Sequence, residues 1–497
     1  MANSSRSSPD SQHVTGAALR EDVPLKAGAG VRARCCAPGP RLILTAFAVL
    51  SAAITLALVT QIYYGDFELV PHGSVSSSAA ACSRAGTDAL KAGGRALDAA
   101  AAAALCLAVL APHRTSLDAS GAMLYWEYRA ARTRPPALYE WGGAIEGASE
   151  DASQGTSGRP PRLLVALATL HAQLGALPWQ QLLMPAIHLA KEGYQVSEGL
   201  AAAAGAAGPS PATGPVAAGS VATAPALAAF LSTLLPNSSA ELSEAWRGAA
   251  LVRSTTPIET RAGAWRLLAP PGASGAARAL QAALMPAPAS PDEAQRRVIA
   301  ALQEESRAGR LRAPGPATGL AAVDQYDTYV ALVTGLSAPF GSGPAEESGA
   351  PDGAPGEAPG EAGWTPDEPH EQLDLAPAIM LDTTVCGQYT LPLHHLCNNI
   401  GTRYVVGAES SSALAQAGAA LAGDGAPGAV ERARVALGPG GALALEAGRP
   451  APAAAALPAP APSNASGPHA AVNVVQQRAD ALASHADSRG GGLASRF

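Results

Sequence analysis

No charged residue falls between Leu42 and Gly65, while the chain on either side carries ionic side chains. The run LILTAFAVLSAAITLALVTQI is about the twenty apolar residues that cross a bilayer as one helix. Farther along the pattern becomes amphipathic. From Ala79 to Pro112 two stretches rich in Ala and Leu meet at Gly93-Gly94, where each glycine would cost a continuous helix about 1 kcal/mol, so a helical hairpin is predicted. Between Arg162 and Ala201, Leu163, Leu167, Leu170 and Leu174 stand at helical spacing. A Gly-Ala-Leu-Pro break follows, then a second helix from about Trp179 to Lys191, closed by Gly193. Trp179 and Pro185 read as packing residues there, and His171 and His188 as histidines satisfied by partners rather than ligands. Period two takes over at residues 318–343, where Ala321, Val323, Tyr329, Ala331 and Val333 alternate around the polar turn Asp324 to Asp327 and predict two strands.

Charge orients the uncharged segment. Arg6, Arg20, Lys26, Arg32, Arg34 and Arg41 precede it against Asp10 and Glu21, while Asp66 and Glu68 follow it. An excess of basic residues on the upstream side places the N-terminus in the cytoplasm. A cleaved signal peptide has a shorter apolar core nearer the start, so the expectation is an uncleaved signal anchor. The chain then reads as a 1–41 cytoplasmic tail, a 42–65 anchor and an extracellular or lumenal remainder: a single-pass type II membrane protein.

The cysteines fit an oxidising exterior. Cys82 lies eleven residues before Gly93 and Cys106 twelve after Gly94, so the folded hairpin sets the two sulfurs level at its open end, where a disulfide is geometrically allowed. Cys386 and Cys397 complete an even set. Cys35 and Cys36 flank the anchor as two free thiols or palmitoylation sites. Asn237 and Asn464 begin sequons and are glycosylation candidates, whereas Asn3 faces the cytoplasm. A net charge of -7, with no basic run beyond the tail, argues against nucleic acid as a partner. Hydrophobic residues make up 48% of the chain, but aromatics only 4%, so its core must be built largely from small side chains. Residues 201–225, 343–363 and 448–468, dominated by Pro, Gly and Ala, are expected to be loops or disordered insertions.

The Cys, Gly-Gly, Asp-Ala-Ala, Cys run of residues 82–106 resembles the opening of the gamma-glutamyltransferase (glutathione hydrolase) large subunit. The helix, Gly-x-Leu-Pro-Trp turn, Pro-Ala-Ile helix and Gly-aromatic stop at residues 162–194 resemble the same family. So do Phe340-Gly341-Ser342, the strands at Ala376 to Asp382 and Tyr404 to Ala408, and the closing strand with its Asp-x-Arg-Gly-Gly end at Val472 to Gly492. The resemblance implies an α+β fold, an N-terminal-nucleophile hydrolase-like four-layer αββα sandwich preceded by one transmembrane helix. It implies autocleavage of a proenzyme into a large-subunit-like region, 79–316, and a small-subunit-like region, 317–497, that pair as a heterodimer. The freed threonine attacks a gamma-glutamyl carbonyl with its own α-amine as base. Glutathione or another gamma-glutamyl compound is the implied substrate, and water or an acceptor amino acid or peptide takes the glutamyl group without a cofactor.

Carried over residue by residue, the family's site is eroded. Aligned without a gap on Asp324, the nucleophile position falls on Ala317; a one-residue gap assigns it to Thr318, with Gly319 where His is usual. The paired serines correspond to Leu373 and Asp374, and the oxyanion Gly-Gly to Ser410 and Ser411. The glycine-rich turn stands as Asp118-Ala119-Ser120-Gly121. Arg129, Arg132 and Arg134 are the candidates for holding the glutamate carboxylate, and the acidic clamp after Phe-Gly-Ser has no counterpart in Pro344 to Gly363.

Other chemistries fare worse. Cys386, His394, His395 and Cys397 lack the spacing of a standard zinc set; a disulfide or free thiols are the competing readings. No Gly-x-Ser-x-Gly elbow, phosphate loop or His-Glu-x-x-His run occurs. The alternative function, from a different class, is a catalytically inert homologue serving as a membrane-bound interaction ectodomain.

Overall fold

The computed structural model describes residues 39–64, 72–131, 133–143, 160–207, 217–341, 367, 373–383, 401–438, 442–446, 449 and 469–497. Cys386, His394, His395, Cys397 and Asn464 lie outside these residues. The chain divides into two units, one ending at Glu68 and the other running from Leu69 to Phe497. The first holds helix α1 (Gly39–Tyr64), whose window Arg41–Thr60 is long and apolar enough to cross a membrane. Thr45, Thr55 and Thr60 each donate to a carbonyl three or four residues back, which satisfies these three hydroxyls without water.

The second unit opens with strand β1 (Ser74–Ser77) and the predicted hairpin, α2 (Ala80–Lys91) and α3 (Ala96–Leu110). Gly93 takes φ +91°, which disfavours any side chain, and a Cβ on Gly94 would lie 2.7 Å from the Ala89 carbonyl oxygen. Cys82 and Cys106 are joined, with Cα atoms 5.3 Å apart, and both are buried. A bridge closing a loop of 24 residues separation is expected to contribute about 3 kcal/mol. The double variant Cys82→Ala/Cys106→Ala is therefore expected to unfold at lower denaturant; an unchanged midpoint would show that the loop is already ordered in the unfolded ensemble.

Two antiparallel sheets follow. The first is ordered β13-β1-β7-β8-β2-β3-β4, from β2 (Ser120–Glu127), β3 (Ala137–Trp141), β4 (Arg253–Thr255), β7 (Ala317–Val323), β8 (Thr328–Gly335) and β13 (Ser495–Arg496). The second is ordered β12-β11-β10-β9-β6-β5, from β5 (Ile258–Ala262), β6 (Trp265–Ala269), β9 (Ala376–Asp382), β10 (Thr402–Ala408), β11 (Val472–Arg478) and β12 (Ala481–His485).

Three apolar clusters define four layers. Helices α2, α3, α4 (Arg162–Leu174) and α5 (Trp179–Glu192) bury Leu97, Leu105, Leu167 and Trp179 against the outer face of the first sheet, at Leu320, Ala322, Val330 and Leu332. Between the sheets lie Ala321, Val323, Tyr329, Ala331, Ile379, Val405 and Val475. The second sheet's outer face, with Met380, Val406 and Val474, is covered by helices from Ser274–Leu284, Pro291–Arg307 and Ser411–Glu431. The fold is a four-layer αββα sandwich. Strands β7 and β8 are buried on both faces because helices cover one side and a sheet the other, so the alternation marks which layer a residue joins, not water.

The expectation that residues 201–225 form a loop needs correction at both ends. Glu198–Ala207 is helical and Pro225–Thr233 begins another helix, because alanine is the best helix former and proline is tolerated in the first turn.

Candidate active site

Thr318 is the second residue of β7, and its side chain is buried. Register places it opposite Thr334 of β8, with Ala317 opposite Gly335 and Gly335 opposite Ser120 of β2. This end of the first sheet is consequently a row of hydroxyls. Thr334 shares a hydrogen bond with Thr115 at 2.8 Å, and Thr318 Oγ1 donates to Ser78 Oγ at 3.2 Å, just past the end of β1. Ser120 Oγ has no partner among the described residues.

Glycines let the second sheet approach. A Cβ on Gly319 would meet the Gly407 carbonyl oxygen at 2.4 Å, and one on Gly407 would meet the Leu320 nitrogen at 2.5 Å. Neither position accepts a side chain without parting the sheets. Beyond Gly407 come Glu409, Ser410 and Ser411, at the start of the helix Ser411–Glu431. Ser410 caps that helix by accepting from the Ala413 N–H. Ser411, mapped to the oxyanion pair, donates its N–H to Asp374 Oδ2 at 3.0 Å and its hydroxyl to Asp374 Oδ1. Burial raises the pKa of the Asp374 carboxyl, against the bonds from Ser411. Glu409 accepts from Arg114 at 2.7 Å and from the Ala471 N–H at 2.7 Å, and burial raises its pKa against both.

The structure separates Arg129 from Thr318. Arg129 follows β2 and donates to Asp327 Oδ2 at 2.7 Å, beside the turn that joins β7 to β8. Thr318 is five residues from Val323 at that turn, about 17 Å at the usual rise per residue. Arg134 is bound to Glu127 on the same side. Arg129 thus sits at the opposite end of the sheet from Thr318, because residues that follow a strand lie where that strand ends. Asp324 is occupied structurally, accepting the N–H groups of Tyr326, Thr328 and Ala96 and tying the turn to α3.

Several site residues lay hidden in the sequence. Where the family has a glycine-rich turn, Asp118 receives the backbone N–H of Arg162 at 3.0 Å and its guanidinium at 3.1 Å, and both residues are fully buried. The same arginine donates to the carbonyls of Gly142 and Asp367. Asn473 donates to Ser78 Oγ at 3.0 Å and to the Gly319 carbonyl at 2.7 Å. Only the Asp-x-Arg-Gly-Gly end hinted at this: Asp487 bonds to Arg434 and Arg489 while its N–H donates to Asn473 Oδ1. Among the described residues no group of three His, Cys, Asp or Glu is placed to hold a metal.

His113, next to Arg114, is buried, and its Nδ1 has no partner among the described residues. Burial first, and the neighbouring guanidinium second, lower its pKa to about 4. The unfolded chain takes up that proton near pH 6.5 and the folded chain only near 4, so acid favours unfolding across that window, by about 3 kcal/mol at most. Burial lowers the pKa of His469 too, with the same sign. The expected result is a stability that falls between pH 6.5 and 4 and a shallower fall in His113→Phe, read from urea midpoints; parallel profiles would refute the assignment.

Residues 82–249 match the sequence model of the gamma-glutamyltranspeptidase family. Glutathione hydrolase 7 of Bos taurus is 35% identical over 198 residues, 38% of this chain and 29% of that protein. Glutathione hydrolase 6 of Mus musculus is 31% identical over 299 residues, 55% of this chain and 56% of that protein. The chain thus spans less than a third of the glutathione hydrolase 7 it matches. In fold it is similar to cephalosporin acylase from Bacillus halodurans, with a TM-score of 0.59 at 16% identity over 86% of this chain and 96% of the other. Over residues 82–249 the chain is thus similar in sequence to the gamma-glutamyltranspeptidase family.

Proposed function

We propose that this protein is a gamma-glutamyl hydrolase and transferase that matures by cleavage before Thr318. The observation that carries the reading is the placement of Thr318 at the start of a central strand, with its hydroxyl held by Ser78. Cleavage there frees the α-amine that draws the proton from Oγ1 as it attacks the gamma-glutamyl carbonyl of glutathione or a related compound. Water or an acceptor amino group then releases the glutamyl group. Turnover is expected to be low. Asp374 occupies the Ser411 N–H, and losing one oxyanion donor costs about 10² to 10³ in rate. The test is a gel of the purified chain beside an assay with a gamma-glutamyl anilide: two fragments parted at Thr318 and slow anilide release support the reading. A single band with no release overturns it.

The two chains of the mature protein would part between Ala317 and Thr318, one residue inside the small-subunit-like region 317–497. The helix Gly39–Tyr64 serves in this reading as a type II signal anchor, with residues 1–41 cytoplasmic and the larger unit outside. In sealed right-side-out plasma-membrane vesicles residues 1–41 are expected to resist added protease, while Asn237 or Asn464 carries glycan on the outer face. Digestion of residues 1–41 from outside would reverse the topology and remove the basis for an oxidised Cys82.

A further inference from the structure

The hydroxyl of Ser78 is held from two sides. Thr318 Oγ1 donates to it at 3.2 Å and Asn473 Nδ2 at 3.0 Å, so Ser78 Oγ is an acceptor toward the threonine. Asn473 is fully buried, and its amide is fixed in one orientation: Nδ2 also donates to the Gly319 carbonyl, and Oδ1 accepts from the Asp487 N–H at 3.2 Å. Asp487 is locked in turn by Arg434 at 2.8 Å and Arg489 at 3.0 Å. The backbone presses Ser78 into place as well, since a Cβ on Gly490 would lie 2.8 Å from the Ser78 Cβ and one on Gly492 would lie 2.0 Å from the Ser77 carbonyl oxygen. Such an arrangement aims the threonine proton at one oxygen.

We infer that Ser78 is a catalytic residue of the chain's own maturation, accepting the Thr318 proton, and that Asn473 is its positioning residue. The inference rests on the proposed cleavage before Thr318. In the uncut chain Thr318 has no free amine, so the proton of Oγ1 needs another acceptor. Thr318 Oγ1 forms a bond to the carbonyl carbon of Ala317, and the bond from that carbon to the Thr318 nitrogen breaks. Ser78 takes the proton from Oγ1 and passes its own to the departing nitrogen, which becomes the amine. Water then hydrolyses the resulting ester, leaving a carboxylate on Ala317 and restoring the Thr318 hydroxyl. Asn473 contributes by keeping the Ser78 lone pair, rather than its proton, turned to Thr318, and by holding the Gly319 carbonyl still beside the reacting bond.

Full-length chain is pulse-labelled in cells, and the fragment beginning at Thr318 is followed by gel. Removing a positioned proton acceptor is expected to slow its appearance about 100-fold in Ser78→Ala. Asn473→Asp keeps the shape but loses both donors at neutral pH, so it is expected to be slow at pH 7 and faster as acid protonates the new carboxyl and returns a donor. A merely structural defect would show no such acceleration. Melting temperature and the Cys82–Cys106 bond serve as controls of folding. Wild-type speed in both folded variants overturns the inference and leaves the proposed function standing, as does an Asn473→Asp rate that does not rise in acid. A wild-type chain that never divides overturns both.

Discussion

Replacing Thr318 by alanine is expected to leave a single polypeptide and to reduce gamma-glutamyl anilide hydrolysis to background. Both effects have one cause. In the proposed reading the hydroxyl that opens the chain is also the one that attacks substrate, and Thr318 is the only threonine between Arg312 and Asp324. Ala317 carries no nucleophile, and the next hydroxyl on the strand's end, Thr334, is engaged by Thr115. Thr318→Ser retains the chemistry and is expected to divide, more slowly, because the hydroxyl loses the methyl that limits its rotamers. The paired measurement is fragment yield against anilide rate in the same preparation. Cleavage persisting in Thr318→Ala would move the nucleophile elsewhere. Cleavage abolished with anilide release intact would separate maturation from activity.

The second large effect concerns stability. Arg162→Met is expected to cost about 3 to 5 kcal/mol, because it strands the fully buried Asp118 carboxylate without its cation. The loss should exceed that of any exposed pair, such as Lys91 with Asp88, by several-fold. Combining Asp118→Asn with Arg162→Met removes the isolated charge while the amide oxygen still accepts from the residue 162 backbone, so more than half of the stability is expected to return in urea titrations. An additive loss in the double variant would show that shape around the pair, and not charge, governs the cost.

The helical hairpin was legible because its signals are local: a glycine pair for the turn, alanine runs on both sides and two cysteines equidistant from it. The strands around Asp324 were legible for the same reason, with period two and a polar turn in one short window. What stayed hidden depends on distance along the chain. Asp118 meets Arg162 across 44 residues, and Asn473 meets Gly319 across 154, with no periodicity to connect them. Arg129 is near the substituted glycine turn in sequence, while eight residues of β2 carry it to the end of the sheet opposite Thr318. The helix through Ala207 was missed because an alanine-rich run is low in complexity and high in helix propensity at once.

The strand order has a consequence for a divided chain. In the first sheet β7 and β8, from the region after residue 316, lie between β1 and β2 from the region before it; in the second, β9 to β12 abut β6. A cut ahead of Thr318 would alter connectivity and little else, since each piece supplies inner strands to a sheet the other completes. The halves would behave as interlocked fingers, parting only when both sheets unravel, so dilution that separates ordinary subunits would leave them together until the whole fold melts.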